Sequence, residues 1–137
     1  MVIAFLMMNP FHHKYRSGIP TEDMGGEYNG YVAFNGKLPL SFQGGADWEE
    51  DNTLDNMVSV HGGITFDSPM SDLSDCAIIP LTSIPDTETL KKFRCIGFDT
   101  LHYGDTKERW TIDAVKEETL DLMSQIEKLL KDGNKCK

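Results

Sequence analysis

Positive charge is scarce in this chain, and one long stretch has none. The 137 residues include 13 Lys and Arg against 22 Asp and Glu, a net charge of −9. Residues 38–90 contain ten acidic residues, five of them within residues 47–55, and no Lys or Arg. Proteins that bind DNA or RNA hold phosphates with clustered positive charge, so this distribution argues against a nucleic-acid partner. It leaves room for a pocket that takes one small anion.

Cysteine is also rare, and the spacing of the cysteines excludes the common zinc-binding and C-x-x-C motifs. The three cysteines Cys76, Cys95 and Cys136 form no C-x-x-C pair, and an odd number cannot all be paired within one chain. Reduced thiols in the cytoplasm are the simpler interpretation. The apolar run at residues 1–8 is too short for a membrane span and has no basic start. We therefore predict a soluble cytoplasmic protein with no membrane partner.

Several sequence motifs of enzymes are missing. The chain has no G-x-S-x-G, no phosphate-binding loop of the Walker type and no G-x-G-x-x-G, and we predict no cofactor. The acidic residues 47–55 lack the alternating acids and central glycine of a calcium loop. They are typical of a solvated loop, with a surface for a basic partner protein as the alternative.

The pattern of apolar residues predicts an α+β fold. Short apolar runs predict strands over residues 2–8, 31–34, 57–66, 76–81 and 94–101. Asn35–Gly36 predicts a hairpin turn between the second strand and residues 37–38. Over residues 57–66, alternation favours one strand with His61 on a polar face rather than two strands joined at Gly62–Gly63.

A long amphipathic helix is predicted near the C-terminus. Its apolar stripe recurs at spacings of three and four residues, and consists of Ile112, Val115, Thr119, Leu122, Ile126 and Leu129. Thr111 is the expected N-cap and Gly133 the expected C-cap, and a short helix is predicted over residues 85–92. We expect one domain, residues 1–133, in which a small, mainly antiparallel sheet is packed by this helix, and a flexible tail at residues 134–137.

Two segments concentrate the residues that could bind a ligand. Residues 60–65 read V-H-G-G-I-T, and residues 97–105 read G-F-D-T-L-H-Y-G-D. His61 lies two positions from Gly63, and Asp99 lies two positions from Gly97. If the two strands are neighbours, the missing side chains leave a depression flanked by an imidazole and a carboxylate, which suits a small polar ligand. The alternative is a core histidine held by a buried aspartate.

A metal site is a second hypothesis for the same residues. Asp99, His102 and Asp105 form a D-x-x-H-x-x-D pattern, and His61 adds a second imidazole. Mixed histidine and aspartate ligands suit divalent metals, and a bound metal would activate water for hydrolysis of a small phosphorylated substrate. Because this spacing often arises by chance, placement of these residues for structure alone is the competing interpretation.

The two segments, followed by a tryptophan and an amphipathic helix, resemble an uncharacterised family of small proteins found in phages, prophages and actinobacteria. The resemblance extends over residues 30–128 and is strongest at residues 61–65 and 97–105, whereas residues 1–26 and 68–93 depart from the family pattern. A phage origin would imply host cytoplasm and, by analogy, a role in counter-defence, in which small proteins sequester or destroy nucleotide-type immune signals.

These observations together favour a ligand-binding protein that sequesters a nucleotide-like signal, such as a cyclic nucleotide or an ADP-ribose derivative. Binding without turnover is preferred. The alternatives are the metal-dependent hydrolase and an acidic protein-interaction module, and association with a second copy of the chain is left open. The predicted ligand-binding residues are His61, Gly62, Gly63, Thr65, Arg94, Gly97, Asp99, His102, Tyr103 and Arg109.

Overall fold

The fold is described from a computed structural model over residues 1–8, 28–36, 58–73, 78–100 and 108–135. Within these ranges lie five strands, two α-helices and one short 3₁₀ helix. In chain order they are β1 (Val2–Met8), β2 (Tyr28–Phe34), β3 (Phe66–Pro69), the 3₁₀ helix (Met70–Leu73), β4 (Ile79–Pro80), α1 (Thr87–Leu90), β5 (Arg94–Phe98) and α2 (Ile112–Lys135).

The five strands form one antiparallel sheet in the order β3-β5-β2-β1-β4. All seven residues of β1 pair with β2, from Val2 opposite Phe34 to Met8 opposite Tyr28. β5 pairs with the other edge of β2, so that Ile96 lies opposite Val32. The sheet and the long C-terminal helix confirm the predicted α+β class.

Both faces of the sheet are buried at the central strands β1, β2 and β5, and alternation along each strand assigns its residues to one face or the other. The face toward α2 carries Leu6, Val32, Phe34, Ile96 and Phe98, which form a core with apolar residues of the helix. The opposite face carries Ile3, Phe5, Tyr31, Ala33 and Cys95, together with Met70 and Phe93.

The helix α2 packs on the sheet with nearly the predicted stripe. Val115, Thr119, Leu122 and Ile126 are fully buried, and Leu129 is 9% exposed. The prediction for Ile112 was wrong: its side chain is 41% exposed, because the first turn of the helix extends past the buried contact.

The two ends of α2 were predicted with different success. Thr111 caps its N-terminus as predicted, since Thr111 Oγ1 accepts a hydrogen bond from the backbone N–H of Ala114 at 3.2 Å. Gly133 is not the C-cap, because the helix continues to Lys135.

None of the helices in the described ranges combines the length and the apolarity needed to cross a bilayer.

The predicted hairpin at Asn35–Gly36 is wrong. Over residues 30–34, β2 is paired on one edge with β1 and on the other with β5. A strand that followed the turn would therefore find no free edge of β2. Asn35 and Gly36 do end the strand, and Gly36 has a φ of 125°, which favours glycine. Residues 37–38 lie outside the described ranges.

The buried stripe of α2 gives the first testable prediction. Leu122→Ala or Ile126→Ala should lower the free energy of unfolding by about 2–4 kcal/mol, because each change leaves a cavity in a packed core. Leu120→Ala, on the same helix at 39% exposure, is the matched control and should have a much smaller effect. Urea denaturation of the three variants measures this, and equal effects at Leu120 and Leu122 would contradict the packing.

Candidate functional site

The segment that carries His61 is a turn and not the single strand predicted for residues 57–66. The backbone N–H of Gly63 donates to the carbonyl oxygen of Val60 at 2.9 Å. Gly62 and Gly63 have φ values of 71° and 81°, and a positive φ at the third residue is what a type II turn requires. The strand begins only at Phe66. We call residues 60–63 the His61 turn.

Side chains of α2 hold the backbone on the N-terminal side of this turn. Gln125 contacts Ser59 twice: Gln125 Oε1 accepts from the Ser59 N–H at 2.7 Å, and Gln125 Nε2 donates to the Ser59 carbonyl at 2.8 Å. Glu118 Oε1 accepts from the backbone N–H of His61 at 3.0 Å. The chain entering the His61 turn is therefore fixed to the helix by three hydrogen bonds.

The imidazole of His61 lies on the indole of Trp110. The ring centroids are 4.1 Å apart and the ring planes are inclined by 40°. Trp110 also contacts Phe98 at the end of β5, with centroids 6.4 Å apart. His61 and Trp110 are both half-buried residues, and Trp110 lies just before the N-terminus of α2.

The two motif segments are neighbours, which is the condition that the ligand hypothesis required. The backbone N–H of Thr65 donates to the carbonyl oxygen of Gly97 at 2.9 Å, and Phe66 lies opposite Gly97 in the β3–β5 pair. Thr65 is exposed and Gly62 is exposed, whereas Gly97 is buried.

The predicted depression at Gly97 is contradicted by the packing of Tyr31. A Cβ atom at Gly97 would lie 2.5 Å from Cδ1 of Tyr31 and 2.8 Å from the carbonyl oxygen of Gly30. The Tyr31 ring therefore fills the space that the missing side chain leaves. Tyr31 belongs to the core on the face away from α2, whereas Trp110 packs on the core beside α2, so Gly97 and His61 do not share a pocket face.

Asp99 follows β5 directly and is half-buried, next to a buried polar pair. The backbone N–H of Thr100 donates to Oδ1 of Asn29 at 3.1 Å, and Thr100 Oγ1 donates to the carbonyl oxygen of Tyr28 at 2.9 Å. These bonds tie the end of β5 to the start of β2. They set the chain position of Asp99.

Arg94, a predicted ligand-binding residue, pairs with a carboxylate of its own chain. Arg94 Nε lies 2.9 Å from Asp67 Oδ1, and Arg94 Nη2 lies 2.5 Å from Asp67 Oδ2. The guanidinium also lies over the Phe34 ring, 5.8 Å from its centroid. This bidentate pair links β3 to β5 on a partly buried edge. Arg109 is exposed and immediately precedes Trp110.

The remaining predicted site residues, His102, Tyr103 and Asp105, lie outside the described ranges. Two of them belong to the four-residue metal hypothesis, which therefore stays a prediction. Within the described ranges, no group of three or more histidine, cysteine, aspartate or glutamate side chains is arranged to hold a metal ion. The acidic residues 47–55 also lie outside these ranges.

Cys95 is buried in the core on the face away from α2 and is not a nucleophile beside His61. Burial raises the pKa of the Cys95 thiol well above its usual range, and the negative charge of Asp67 raises it further. The thiol is therefore protonated at neutral pH and chemically inert.

Glu118, Gln125 and Asn29 were missed by the sequence analysis. Glu118 and Gln125 flank the apolar stripe of α2, where charged and polar residues normally face solvent, so the helical pattern gave no reason to select them. Asn29 is 5% exposed inside a strand. Asn29 precedes the apolar run that begins at Tyr31, so the sequence contained no signal that its side chain is buried.

Comparison of the chain with known protein families, curated proteins and solved structures finds no match. The resemblance to the phage family stays a prediction, and the case for function rests on the geometry.

The packing of Tyr31 at Gly97 gives a second prediction. Gly97→Ala should lower the free energy of unfolding by about 1–3 kcal/mol, because the new methyl group overlaps a buried ring and a backbone carbonyl. Thermal or urea denaturation without ligand measures the effect. Unchanged stability would show that Gly97 borders open space, as the sequence analysis expected.

The burial of Cys95 gives a third prediction, best measured in a Cys76→Ser/Cys136→Ser variant in which Cys95 is the sole thiol. At pH 8 the folded protein should react with a thiol reagent about 100-fold or more slowly than the protein in denaturant, since reaction requires opening of the core. Because the folded state keeps the proton on sulfur, stability should fall as the pH rises above the ordinary thiol pKa. Equal reaction rates would contradict the burial.

Proposed function

We propose that this protein binds a compact, phosphorylated, nucleotide-like ligand at the His61 turn and Trp110. The observation that carries the proposal is the contact of the His61 ring with the Trp110 indole, centroids 4.1 Å apart, at a half-buried position. Aromatic faces that are partly exposed beside a fixed turn are the surfaces on which nucleobases stack, at a typical gain of about 1–3 kcal/mol per base.

Polar groups beside the rings suit the rest of such a ligand. An imidazole, as at His61, is a side chain that forms hydrogen bonds with bases and ribose. Gly62 is exposed and has no side chain, which permits close approach of a ligand to the backbone. Arg109 is exposed and precedes Trp110 in the chain, and a guanidinium is a group that suits a phosphate.

The chemistry of these groups favours binding over turnover. An indole, an imidazole, backbone groups and one guanidinium can bind and orient a ligand. The buried Cys95 lies in the core on the other face of the sheet and supplies no nucleophile to this place. A net charge of −9 also favours a small ligand with few phosphates over a polyanion.

The biological role within the proposal is sequestration of a nucleotide-type immune signal in counter-defence. Its support is the resemblance of residues 61–65 and 97–105 to the phage family, which is an analogy at the level of sequence. The metal-dependent hydrolase and the acidic interaction module remain alternatives. They depend on His102, Asp105 and residues 47–55, which lie outside the described ranges.

The ligand proposal gives a fourth prediction, tested by calorimetry with a panel of cyclic mononucleotides, cyclic dinucleotides and ADP-ribose. At least one should bind the wild-type protein. His61→Ala and Trp110→Phe should each weaken binding by about 1–3 kcal/mol, through loss of a polar partner or of stacking area. Melting temperatures should stay within a few degrees of wild type.

Lys91→Ala is the control for this experiment, because Lys91 is exposed just after α1 and pairs only with the exposed Glu88 within the described ranges. It should bind like wild type. Gly63→Val is unsuitable as a blocking variant, since the φ of 81° at Gly63 makes a β-branched residue strained there. No binding by any member of the panel, or binding insensitive to both His61→Ala and Trp110→Phe, would contradict the proposed function.

A further inference from the structure

We propose that Glu118 and Gln125 are positioning residues that hold the His61 turn on α2 and thereby set how His61 lies on Trp110. Their effect on ligand affinity rests on the proposed function, whereas their effect on the turn does not. Both residues bond the backbone of residues 59–61, and they act on His61 through it.

The spacing of the three hydrogen bonds shows how the segment runs along the helix. Gln125 binds Ser59 and Glu118 binds His61, so the chain runs antiparallel to α2, toward its N-terminus. Seven helical residues rise about 10 Å, and two extended residues span about 7 Å, a difference that two long side chains can bridge. The segment therefore ends beside Trp110, which precedes the helix.

These bonds replace the sheet pairing that an extended segment normally has. The N–H groups of Ser59 and His61 donate to side chains of α2, and regular strand pairing begins only at Phe66. Between them, the described backbone bonds are those of Gly63 to Val60 and of Thr65 to Gly97. Loss of the Glu118 or Gln125 side chain would thus free residues 59–61 from α2 without breaking the hydrogen bonds of the sheet.

Gln125 is itself held in one orientation. Its Nε2 donates to Ser59 O and to Asp121 Oδ2, each at 2.8 Å, while its Oε1 accepts from the Ser59 N–H. The amide thus uses both N–H groups and its oxygen, which fixes which end is nitrogen. Glu118 presents a carboxylate, and hydrogen bonds to charged acceptors are stronger than those to neutral ones.

Amide hydrogen exchange of the ligand-free protein, followed by NMR, tests the positioning role. In Glu118→Ala the amides of His61 and Gly63 should exchange about tenfold faster, because local opening of the turn becomes easier. Glu117→Ala is the matched control: it makes the same change of charge and side chain one residue away, at an exposed position, and should leave these amides unchanged.

Two further variants sharpen the result. Glu118→Gln keeps an oxygen acceptor and should restore slow exchange at His61. Gln125→Ala releases the segment independently and should speed exchange at Ser59 and His61. Unchanged exchange at His61 in Glu118→Ala would overturn the proposal, and so would equal acceleration at the core amides of Val32 and Ile96, since that reports global unfolding.

The ligand arm uses whichever nucleotide of the calorimetric panel binds the wild-type protein. Glu118→Ala should raise its Kd about tenfold, with Glu118→Gln and Glu117→Ala near wild type; an unchanged Kd overturns the effect on the site. If the wild-type protein binds none of the panel, the proposed function fails, and the exchange experiment still decides whether Glu118 and Gln125 hold the turn.

Discussion

The packing of α2 across β1 and β2 decides where the other described elements lie. Gly30 of β2 permits this close approach, since a Cβ there would overlap Oγ1 of Thr119 and the Phe98 ring. The hydroxyl of Thr119 donates to the Val115 carbonyl at 2.6 Å, so a polar group is buried at the contact without being left unpaired. The helix thereby covers one face of the central strands and carries Trp110 at its N-terminal flank.

Burial of both faces of the central strands β1, β2 and β5 removes most of their side chains as a ligand surface. Tyr31 fills the space beside Gly97 on one side, and α2 covers Val32 and Phe34 on the other. The partly exposed side chains of the proposed site therefore lie beside the sheet, where the His61 turn meets the N-terminal end of α2. The same constraint explains Arg94: at a partly buried edge its charge is compensated by Asp67, and a buried guanidinium without that carboxylate would be costly.

Short apolar runs and a helical apolar stripe were sufficient to predict β1, β5 and α2, because each element buries apolar side chains against the rest of the protein. Ile112 failed because a helical period continues in sequence after the partner surface has ended. The strand proposed over residues 57–66 failed for another reason: Val58, Val60 and Ile64 alternate as in a strand, yet they pack beside α2 while Gly62 and Gly63 turn the chain. The pairing of Ser59 with Gln125 spans 66 residues in sequence, and local pattern contains no information about it.

Two classes of contact, buried apolar packing and side-chain hydrogen bonds, stabilise different parts of the protein. The sheet and α2 are held by fully buried apolar side chains, whose removal costs stability everywhere in a cooperative domain. The segment from Val58 to Thr65 is half-buried or exposed, and side-chain hydrogen bonds attach it to the helix. Segments of this kind open with a smaller free energy than the core does, and ligand-binding elements are drawn from them. The local free energy of opening is therefore expected to be lower for the His61 turn than for the core, and the turn is the part of the proposed site that can adjust to a ligand.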